Sequence, residues 1–367
     1  MVFPIAFFAI FISSCKDDPD PPALDYIGSA ACQTCHPTIY DVFMESGHPY
    51  KLSKVTGNKQ PTIPFRTAAI PTPTGYTWAD VSYMIGGYGW KARFVDKKGY
   101  IMTELDDTQY NLNDGSQVAY HASDAMGTKK YDCGRCHTTG WIHVDDGGSP
   151  QDGLEGMAGQ FAQPGIHCEA CHGMGSVHAF TEDKADITLD RSSLACGKCH
   201  YRNADHTIAA SGGFIKHHEQ YDELISGGHE NLSCNDCHDP HASTINDDIA
   251  AGSGIIKTCA ECHTEAKYTA KTHNGATCIT CHMPKASKSA IKTGDYQGDI
   301  KTHIFNINTD ENGKLFNAAG DLANVDGLGV SLDYVCYQCH QDASGKGGQN
   351  TMKSMSTLST YAKTFHQ

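Results

Sequence analysis

The chain has 367 residues and a formal net charge of −14, from 42 acidic and 28 basic side chains. This acidic balance disfavours a nucleic-acid partner, because binding to phosphates needs a basic surface. A basic protein partner, or a mineral or metal-ion acceptor, is more compatible with the charge. The 17 cysteines and 21 histidines follow a regular spacing, and that spacing indicates the chemistry.

The chain begins with an apolar run at residues 2–14, which is too short to span a bilayer. The run ends at Cys15 and resembles a bacterial lipobox, in which the cysteine is lipidated; residues 16–18, Lys-Asp-Asp, resemble the export signal of surface lipoproteins. We therefore expect a signal peptide over 1–14 and a lipidated cysteine with an extended tether over 15–29. The alternative is an ordinary cleaved signal peptide with a spare cysteine. Both interpretations predict an exported protein.

A five-residue pattern, Cys-x-x-Cys-His, recurs eight times after this segment. It is the attachment motif of haem c, in which two thiols add to the haem vinyl groups and the histidine coordinates the iron. A single Cys-x-x-Cys could be a zinc knuckle or a redox pair, but neither explains a histidine after every second cysteine. The motifs, numbered as sites 1 to 8, are Cys32, Cys35 and His36; Cys133, Cys136 and His137; Cys168, Cys171 and His172; Cys196, Cys199 and His200; Cys234, Cys237 and His238; Cys259, Cys262 and His263; Cys278, Cys281 and His282; and Cys336, Cys339 and His340.

Eight haems leave little chain to cover each one, so the haems themselves must form much of the core. We therefore expect a mainly α, loop-rich fold packed around haem. The octahaem domain is predicted over residues 30–345, with a C-terminal tail over 346–367. Residues 52–132 contain no motif and are interpreted as a haem-free insert. Within this insert, residues 90–103 predict a small β-hairpin.

The second axial ligand of each iron decides between electron transfer and chemistry. A haem with two axial histidines has no place for substrate, whereas an open or weakly held sixth position allows a reaction. Of the 21 histidines, eight belong to motifs and 13 remain. From local context the predicted distal ligands are His48, His121, His178, His218, His229, His241, His273 and His303. His217 is a near-even alternative to His218, and His206 ranks next to His121. His366 is expected to lie in a frayed terminus.

The sequences that flank the motifs resemble multihaem cytochromes of the cytochrome c-554 type. They are IGGYGWKARF (85–94), YDCGRCHTTGW (131–141), GIHCEACHGMGSVH (165–178), GGFIKHHEQYDEL (212–224) and SCNDCHDPH (233–241). That superfamily includes hydroxylamine oxidoreductase, pentahaem nitrite reductase and octahaem tetrathionate reductase.

The resemblance also implies a rival to histidine at the active site. In octahaem tetrathionate reductase a lysine caps the active-site haem, so Lys91 or Lys51 could do so here; the alternative is that both are solvated. Met174 replaces the usual proline of CHGPG, and the chain has no Cys-x-x-Cys-Lys motif. The missing motif disfavours the pentahaem nitrite reductase activity.

Two functions remain open. The first is an exported octahaem c-type cytochrome that carries electrons along covalent haems in respiratory or extracellular electron transfer. It would be held at the outer membrane by the lipid on Cys15, on the periplasmic or the cell-surface side. Its partners would be redox proteins or a terminal extracellular acceptor, with assembly into a homo-oligomer or filament left open. The alternative is an octahaem oxidoreductase acting on nitrite, hydroxylamine or tetrathionate at one haem, most naturally site 2.

Overall fold

The structure is a computed structural model that describes residues 20–245, 254–264, 273, 276–340 and 353–366. In these residues the fold is mixed, not mainly α as the sequence suggested, because short strands lie between equally short helices. The helices are α1 (Ser29–Gln33), α2 (Pro37–Met44), α3 (Gly134–His137), α4 (Cys168–His172), α5 (Ser176–Thr181), α6 (Ser193–His200), α7 (Gln220–Ile225), α8 (Cys278–His282), α9 (Leu332–Cys336) and α10 (Met355–Thr364).

Most attachment motifs form a helical turn. Helices α3, α4, α6 and α8 each end at their motif histidine. Single 3-10 turns at Cys234–Asp236 and Cys259–Glu261 begin two other motifs. A helical turn places residues i, i+3 and i+4 on one face, and these are the positions of the two cysteines and the histidine. The local fold therefore presents both thiols and the imidazole on the same side.

The predicted haem-free insert contains a five-stranded antiparallel sheet with strands in chain order. Its strands are β1 (Leu52–Lys54), β2 (Val81–Gly86), β3 (Lys91–Asp96), β4 (Gln109–Asn111) and β5 (Gln117–Val118). The predicted hairpin at 90–103 is a small part of this sheet: the backbone N–H of Asp96 donates to the Tyr100 carbonyl at 2.8 Å. The longer pairing of β3 is with β2, where Ile85 lies opposite Arg93.

Two apolar clusters cover the two faces of this sheet. Met84 and Phe94 belong to one cluster and Tyr83 to the other. Side chains alternate along a strand, so Lys91 and Arg93 point to the face opposite Phe94. The insert therefore has a core of protein side chains, and β3 fixes the direction of two basic residues.

The other strands are short and brace the rest of the chain. A four-stranded sheet has the order β12 (Ser287–Lys288), β11 (Phe214–Lys216), β10 (Ile208–Ser211) and β14 (Leu322–Ala323), and two-stranded pairs join β6 (Thr138–Thr139) to β9 (Gln163–Pro164), β7 (Ile142–His143) to β8 (Gly159–Gln160), and β13 (Ile307–Asn308) to β15 (Val330–Ser331). A third apolar cluster, which includes Phe214, Ile304 and Tyr334, packs on the four-stranded sheet. This arrangement holds α9 against β11, since the Tyr334 ring packs edge-on against Phe214 with ring centres 6.1 Å apart.

The N-terminal predictions fall mostly outside the described residues. The predicted signal peptide, Cys15, residues 16–19 and most of the tail at 346–367 belong to that part of the chain. The last residues of the predicted tether are fixed in place: the backbone N–H groups of Ile27 and Gly28 donate to the buried Glu169 carboxylate at 3.0 and 2.8 Å. Among the residues described, none of the helices has the length and apolar character needed to cross a membrane.

Candidate haem-binding sites

The eight motifs converge on one continuous cavity. Its volume is about 3860 Å³, and its walls include every motif histidine and at least one cysteine of every motif. Pockets for ordinary small ligands measure roughly 300–1,000 Å³. The cavity is therefore large enough for several cofactors of haem size, placed side by side.

The cysteines are arranged for thioether bonds and not for zinc or disulfides. All 16 motif cysteines are free thiols. In the described part of the chain, no three His, Cys, Asp or Glu side chains converge into a metal-binding group. A structural zinc site needs four such ligands around one point, so the residues fit haem better than zinc.

Six motif histidines each face a second histidine across a gap that suits one metal ion. Two metal–nitrogen bonds of about 2 Å each put the centres of two imidazoles on one metal about 6 Å apart. The observed ring-centre distances are 6.3 Å for His36 and His178, 6.2 Å for His172 and His241, 6.2 Å for His238 and His303, 6.0 Å for His263 and His229, 5.6 Å for His340 and His273, and 5.9 Å for His282 and His366. Five of these pairs fit haem with two axial histidines as they stand. At site 8 the Nε2 atoms of His273 and His340 are 3.3 Å apart, so these two rings would have to separate slightly to reach the roughly 4 Å that two metal–nitrogen bonds span.

Hydrogen bonds at Nδ1 leave the Nε2 atoms directed at the gaps. Nδ1 of His172, His178 and His282 lies 2.8 Å from a backbone carbonyl oxygen in each case. Nδ1 of His137 lies 3.1 Å from the Lys51 carbonyl. An Nδ1–H group held by a carbonyl fixes the tautomer in which Nε2 carries the lone pair for a metal. The imidazoles are thus pre-oriented as ligands.

One of the predicted distal ligands, His218, lies between sites 2 and 4. The ring centre of His218 is 6.4 Å from His137 and 5.8 Å from His200, at steep interplanar angles of 78° and 74°. His48 is half-buried and lies near enough to His200 of site 4 for their charges to interact. Burial, followed by the charges of Lys51, His200 and His241, lowers the pKa of His48 to about 3. One histidine cannot serve two irons, so at most one of sites 2 and 4 takes His218.

The structure does not bring His121 to a motif histidine. Its backbone is in the left-handed region at φ 52°, and its Nδ1 lies 3.0 Å from the Asp124 carboxylate and 3.3 Å from the Lys129 amine. Its ring packs on Tyr120. A short local sequence context could not show that this segment turns outward at the edge of the sheet. His121 therefore belongs to a surface ion-pair group.

The remaining histidines have other surroundings. His206 pairs with the buried Asp222 at 2.9 Å, and the two ring nitrogens of His167 lie 3.0 Å from Ser29 Oγ and from the Pro164 carbonyl. His143 lies 3.6 Å from Asp132. These partners occupy at least one nitrogen in each ring. Of the histidines that the sequence ranked low, only His366 faces a motif histidine among the described residues.

Site 2 is surrounded by basic side chains. Burial, followed by the charge of Lys51, lowers the pKa of His137 to about 4, and the charges of Arg93 and Lys91 act in the same direction. Burial also lowers the pKa of Lys91 to about 7, and it lowers the pKa of Lys51 as well. The Lys91 amine donates to the Ser289 carbonyl. Lys51 and Lys91, the two lysines that could replace a distal histidine as axial ligand, thus both lie near site 2.

Arginine side chains complete this basic group. Arg93 donates to Gln109 Oε1 at 2.8 and 2.6 Å and stacks on the Tyr120 ring. Arg202 donates to the His217 carbonyl and lies 3.0 Å from the buried Glu219 carboxylate. Burial raises the pKa of Glu219 to about 8, although Arg202 opposes the shift. These contacts hold two guanidinium groups beside site 2.

A buried carboxylate supports site 5. Glu223 is 1% exposed. Its carboxylate accepts hydrogen bonds from the backbone N–H of His303 at 2.6 Å and from the hydroxyl of Ser287 at 3.0 Å. Its Oε2 also lies 3.7 Å from Nδ1 of His303. Carboxylates beside a metal-ligating histidine orient the ring and raise its basicity. The sequence did not single out Glu223, since its role depends on a residue 80 positions away.

The motif segments of different sites lie next to one another. Helix α1 packs on α4, α3 on α6, α6 on the 3-10 turn at Cys234–Asp236, and α8 on α9, which places sites 1 and 3, 2 and 4, 4 and 5, and 7 and 8 side by side. Sites 3 and 4, 5 and 6, and 6 and 7 are linked by cysteines that lie near enough for their charges to interact, namely Cys171 and Cys196, Cys237 and Cys259, and Cys259 and Cys278. These neighbours connect sites 1, 3, 4, 5, 6, 7 and 8 in that order and join site 2 to site 4.

Comparisons with known proteins agree with this geometry. A family model described as "Cytochrome c554 and c-prime" matches residues 100–173, and one described as "Doubled CXXCH motif" matches residues 228–268. The chain is 25% identical over 138 residues to "Multiheme cytochrome MtrA" of Shewanella baltica (strain OS185). That match covers 34% of this chain and 37% of the relative, so the chain spans well under half of that protein.

Two solved structures share the fold. The octaheme sulfite reductase MccA of Wolinella succinogenes is 19% identical, with a TM-score of 0.60 over 95% of this chain and 71% of that chain. The Outer Cell Wall Cytochrome OcwA is 18% identical, with a TM-score of 0.53 over 93% of this chain and 100% of that chain. The paired imidazoles, the motif thiols and these matches agree with one another: the chain is similar to multihaem c-type cytochromes in its motifs and in its fold.

Proposed function

We propose that the protein is an exported octahaem electron-transfer cytochrome. The observation that carries the proposal is the packing of the motif segments of neighbouring sites against one another. Each thiol would bond to the edge of one porphyrin, so neighbouring thiols bring neighbouring porphyrins together. Electrons would pass along the row 1, 3, 4, 5, 6, 7, 8, and site 2 would branch from site 4.

The ligand pairs support the same role. Six sites have two imidazoles in position for one iron. Such haems have no open position for substrate and change only their oxidation state. The protein supplies fixed spacing, burial and ligation, while the cofactor supplies the electron chemistry.

Location and partners follow from the sequence and from the printed names of similar proteins. The apolar run ending at Cys15 and residues 16–18 support export and lipid anchoring at the outer membrane. The name Outer Cell Wall Cytochrome places one protein of similar fold outside the cytoplasm. The net charge of −14 favours a basic redox protein, a mineral or a metal ion as electron partner. Assembly of several copies into a filament is compatible with this role.

Haem counting and spectroscopy test the proposal. The purified protein should contain eight covalent haems per chain, measured by the pyridine haemochrome assay and by intact mass. Low-temperature EPR of the ferric protein should show low-spin haems at the six paired sites. A count below eight, or high-spin signals from several haems, would contradict the octahaem electron carrier.

A second function is favoured by the surroundings of site 2. Lys51, Lys91, Arg93 and Arg202 lie around this site, and His218 lies between it and site 4, with its ring centre nearer to His200 than to His137. Basic side chains around an open iron would attract and orient a small anion. We infer that site 2 could reduce or oxidise a nitrogen or sulfur species, such as nitrite, hydroxylamine or tetrathionate. The fold shared with an octaheme sulfite reductase is compatible with this inference.

Added ligands separate the two functions. If site 2 is open, nitrite or cyanide should convert one high-spin ferric EPR signal to low spin, and turnover should follow with a reduced donor. If only low-spin signals appear and ligands leave them unchanged, all eight sixth positions are filled and the protein is an electron carrier alone.

A further inference from the structure

Site 7 is closed by a histidine from the far end of the described chain. His282 ends α8, and its Nδ1 lies 2.8 Å from the Phe305 carbonyl, so Nε2 points away from that anchor. The ring of His366 lies opposite, with ring centres 5.9 Å apart and an interplanar angle of 23°. This distance matches that of the other histidine pairs. His366 therefore occupies the position of a second axial ligand.

Helix α10 brings His366 to this position. Its N-terminus is capped by Ser354, whose Oγ accepts the backbone N–H of Thr357 at 3.2 Å. Leu358 is 4% exposed, and the Ser359 hydroxyl donates to the Thr309 carbonyl at 2.6 Å. One face of the helix is thus fixed against the domain. His366 follows the last turn of α10 and enters the shared cavity.

His229 is the other candidate for the second axial ligand of site 7, but its ring faces a different site. His229 lies close enough to His282 for their charges to interact, but its ring faces His263 of site 6 at 6.0 Å. It also packs on Phe305 at 4.4 Å. Assigning His229 to site 6 leaves His366 for site 7.

The same helix end also covers site 8. The Phe365 ring packs against His273, with ring centres 5.9 Å apart. His273 faces His340, and their Nε2 atoms are 3.3 Å apart. Phe365 supplies contact but no ligand, so site 8 would keep both imidazoles without α10.

We propose that His366 is the second axial ligand of the haem at site 7 and that α10 is a clasp that closes this site. The inference rests on the proposed haem at site 7. With the clasp in place, site 7 transfers electrons only. With the clasp removed, its iron has an open sixth position and binds external ligands.

The test uses the full-length haem-loaded protein with His366→Ala. We expect eight haems per chain, one of which becomes high-spin in ferric EPR. The reduced variant should bind one carbon monoxide more per chain than the parent protein. Added imidazole should restore the low-spin signal. The matched control is His121→Ala, which removes a surface histidine and should change none of these readings.

If His366→Ala does not fold, a second variant tests the same ligand assignment. His366→Met keeps a ligand and should raise the reduction potential of one haem, because methionine ligation favours the reduced iron. If both variants contain eight haems and match the parent protein in EPR, carbon monoxide uptake and reduction potentials, His366 is not the second axial ligand of site 7. A haem count below eight in the parent protein would instead contradict the octahaem proposal.

Discussion

Each ligating imidazole uses its two nitrogen atoms for different purposes. Nδ1 is held by a backbone carbonyl in His137, His172, His178 and His282. Nε2 is left to face the gap where iron would lie. In His303 the group beside Nδ1 is the Glu223 carboxylate. The group beside Nδ1 therefore differs between sites, and this difference should give individual haems different reduction potentials.

Glu223→Gln should raise the reduction potential of one haem. The carboxylate beside Nδ1 of His303 strengthens the imidazole as a donor and stabilises the ferric iron. The amide keeps the shape of the side chain but removes the negative charge. Redox titration followed by EPR should show one low-spin signal at higher potential, with the other signals unchanged.

The matched control for this prediction is Glu230→Gln, which removes an exposed carboxylate on the same segment. It should leave every potential within error. Equal potentials in Glu223→Gln and the parent protein would mean that His303 does not ligate site 5.

Lys91→Met should weaken nitrite binding at site 2. Burial lowers the pKa of Lys91 to about 7. The ammonium charge is therefore present below this pKa and lost above it, so nitrite affinity should fall as pH rises through about 7. A hydrogen bond to a charged group contributes roughly 1.5–3 kcal/mol. The variant should bind nitrite about tenfold or more weakly at pH 6 and lose most of the pH dependence, as measured by optical titration.

Lys97→Met is the control, since Lys97 is exposed beyond the end of β3. It should bind nitrite like the parent protein at each pH. If Lys91→Met also binds like the parent protein, the Lys91 amine does not face the site 2 iron.

The proximal residues can be predicted from the sequence, whereas the distal ones depend on the fold. Two thioethers and a proximal histidine must come from one short segment, so their spacing is visible in the chain. A distal ligand comes from any segment that packs on the opposite face. His121 and His366 show the consequence: the first had a plausible local context but lies in a surface ion-pair group, and the second was set aside as frayed yet faces His282.

At the scale of elements, β3 connects the haem-free insert to site 2. Its alternating side chains send Ala92 and Phe94 into the apolar cluster and direct Lys91 and Arg93 to the other face. The pairing of β3 with β2 and β4 fixes this orientation. The sheet thus sets the positions of two cationic groups.

Phe94→Ala should destabilise the insert. Phe94 is fully buried and packs edge-on against Trp78, and replacing a buried phenylalanine by alanine costs about 3–5 kcal/mol. Urea unfolding monitored by tryptophan fluorescence should show this loss. Val118→Ala on the exposed edge strand β5 is the control and should change stability by about 0.5 kcal/mol or less. Equal stability of the two variants would contradict a protein core in the insert.

The sheet was only partly predictable. Residues 90–103 have alternating apolar side chains and a Lys-Lys-Gly turn, so the hairpin could be recognised. The strands β1, β4 and β5 have two or three residues each, which is too short for a periodic pattern to emerge. Their pairing depends on tertiary contacts, so the sequence did not reveal them, and the fold is less helical than the expected packing around haem suggested.

At the scale of the whole molecule, the sites form one connected row with a branch. The packing of motif segments and the proximity of their cysteines link sites 1, 3, 4, 5, 6, 7 and 8, and the packing of α3 on α6 joins site 2 to site 4. In the proposed electron carrier, site 4 would be the junction through which electrons from either end of the row reach site 2. This order could not be read from the sequence, because sites 2 and 3 are neighbours in the chain but not in this row.

The most direct test is a crystal structure of the haem-loaded protein with anomalous data at the iron edge. The account predicts eight iron positions, each next to its neighbour in the order 1, 3, 4, 5, 6, 7, 8, with site 2 beside site 4. Iron atoms split into two distant groups, fewer than eight positions, or site 2 placed away from site 4 would contradict it.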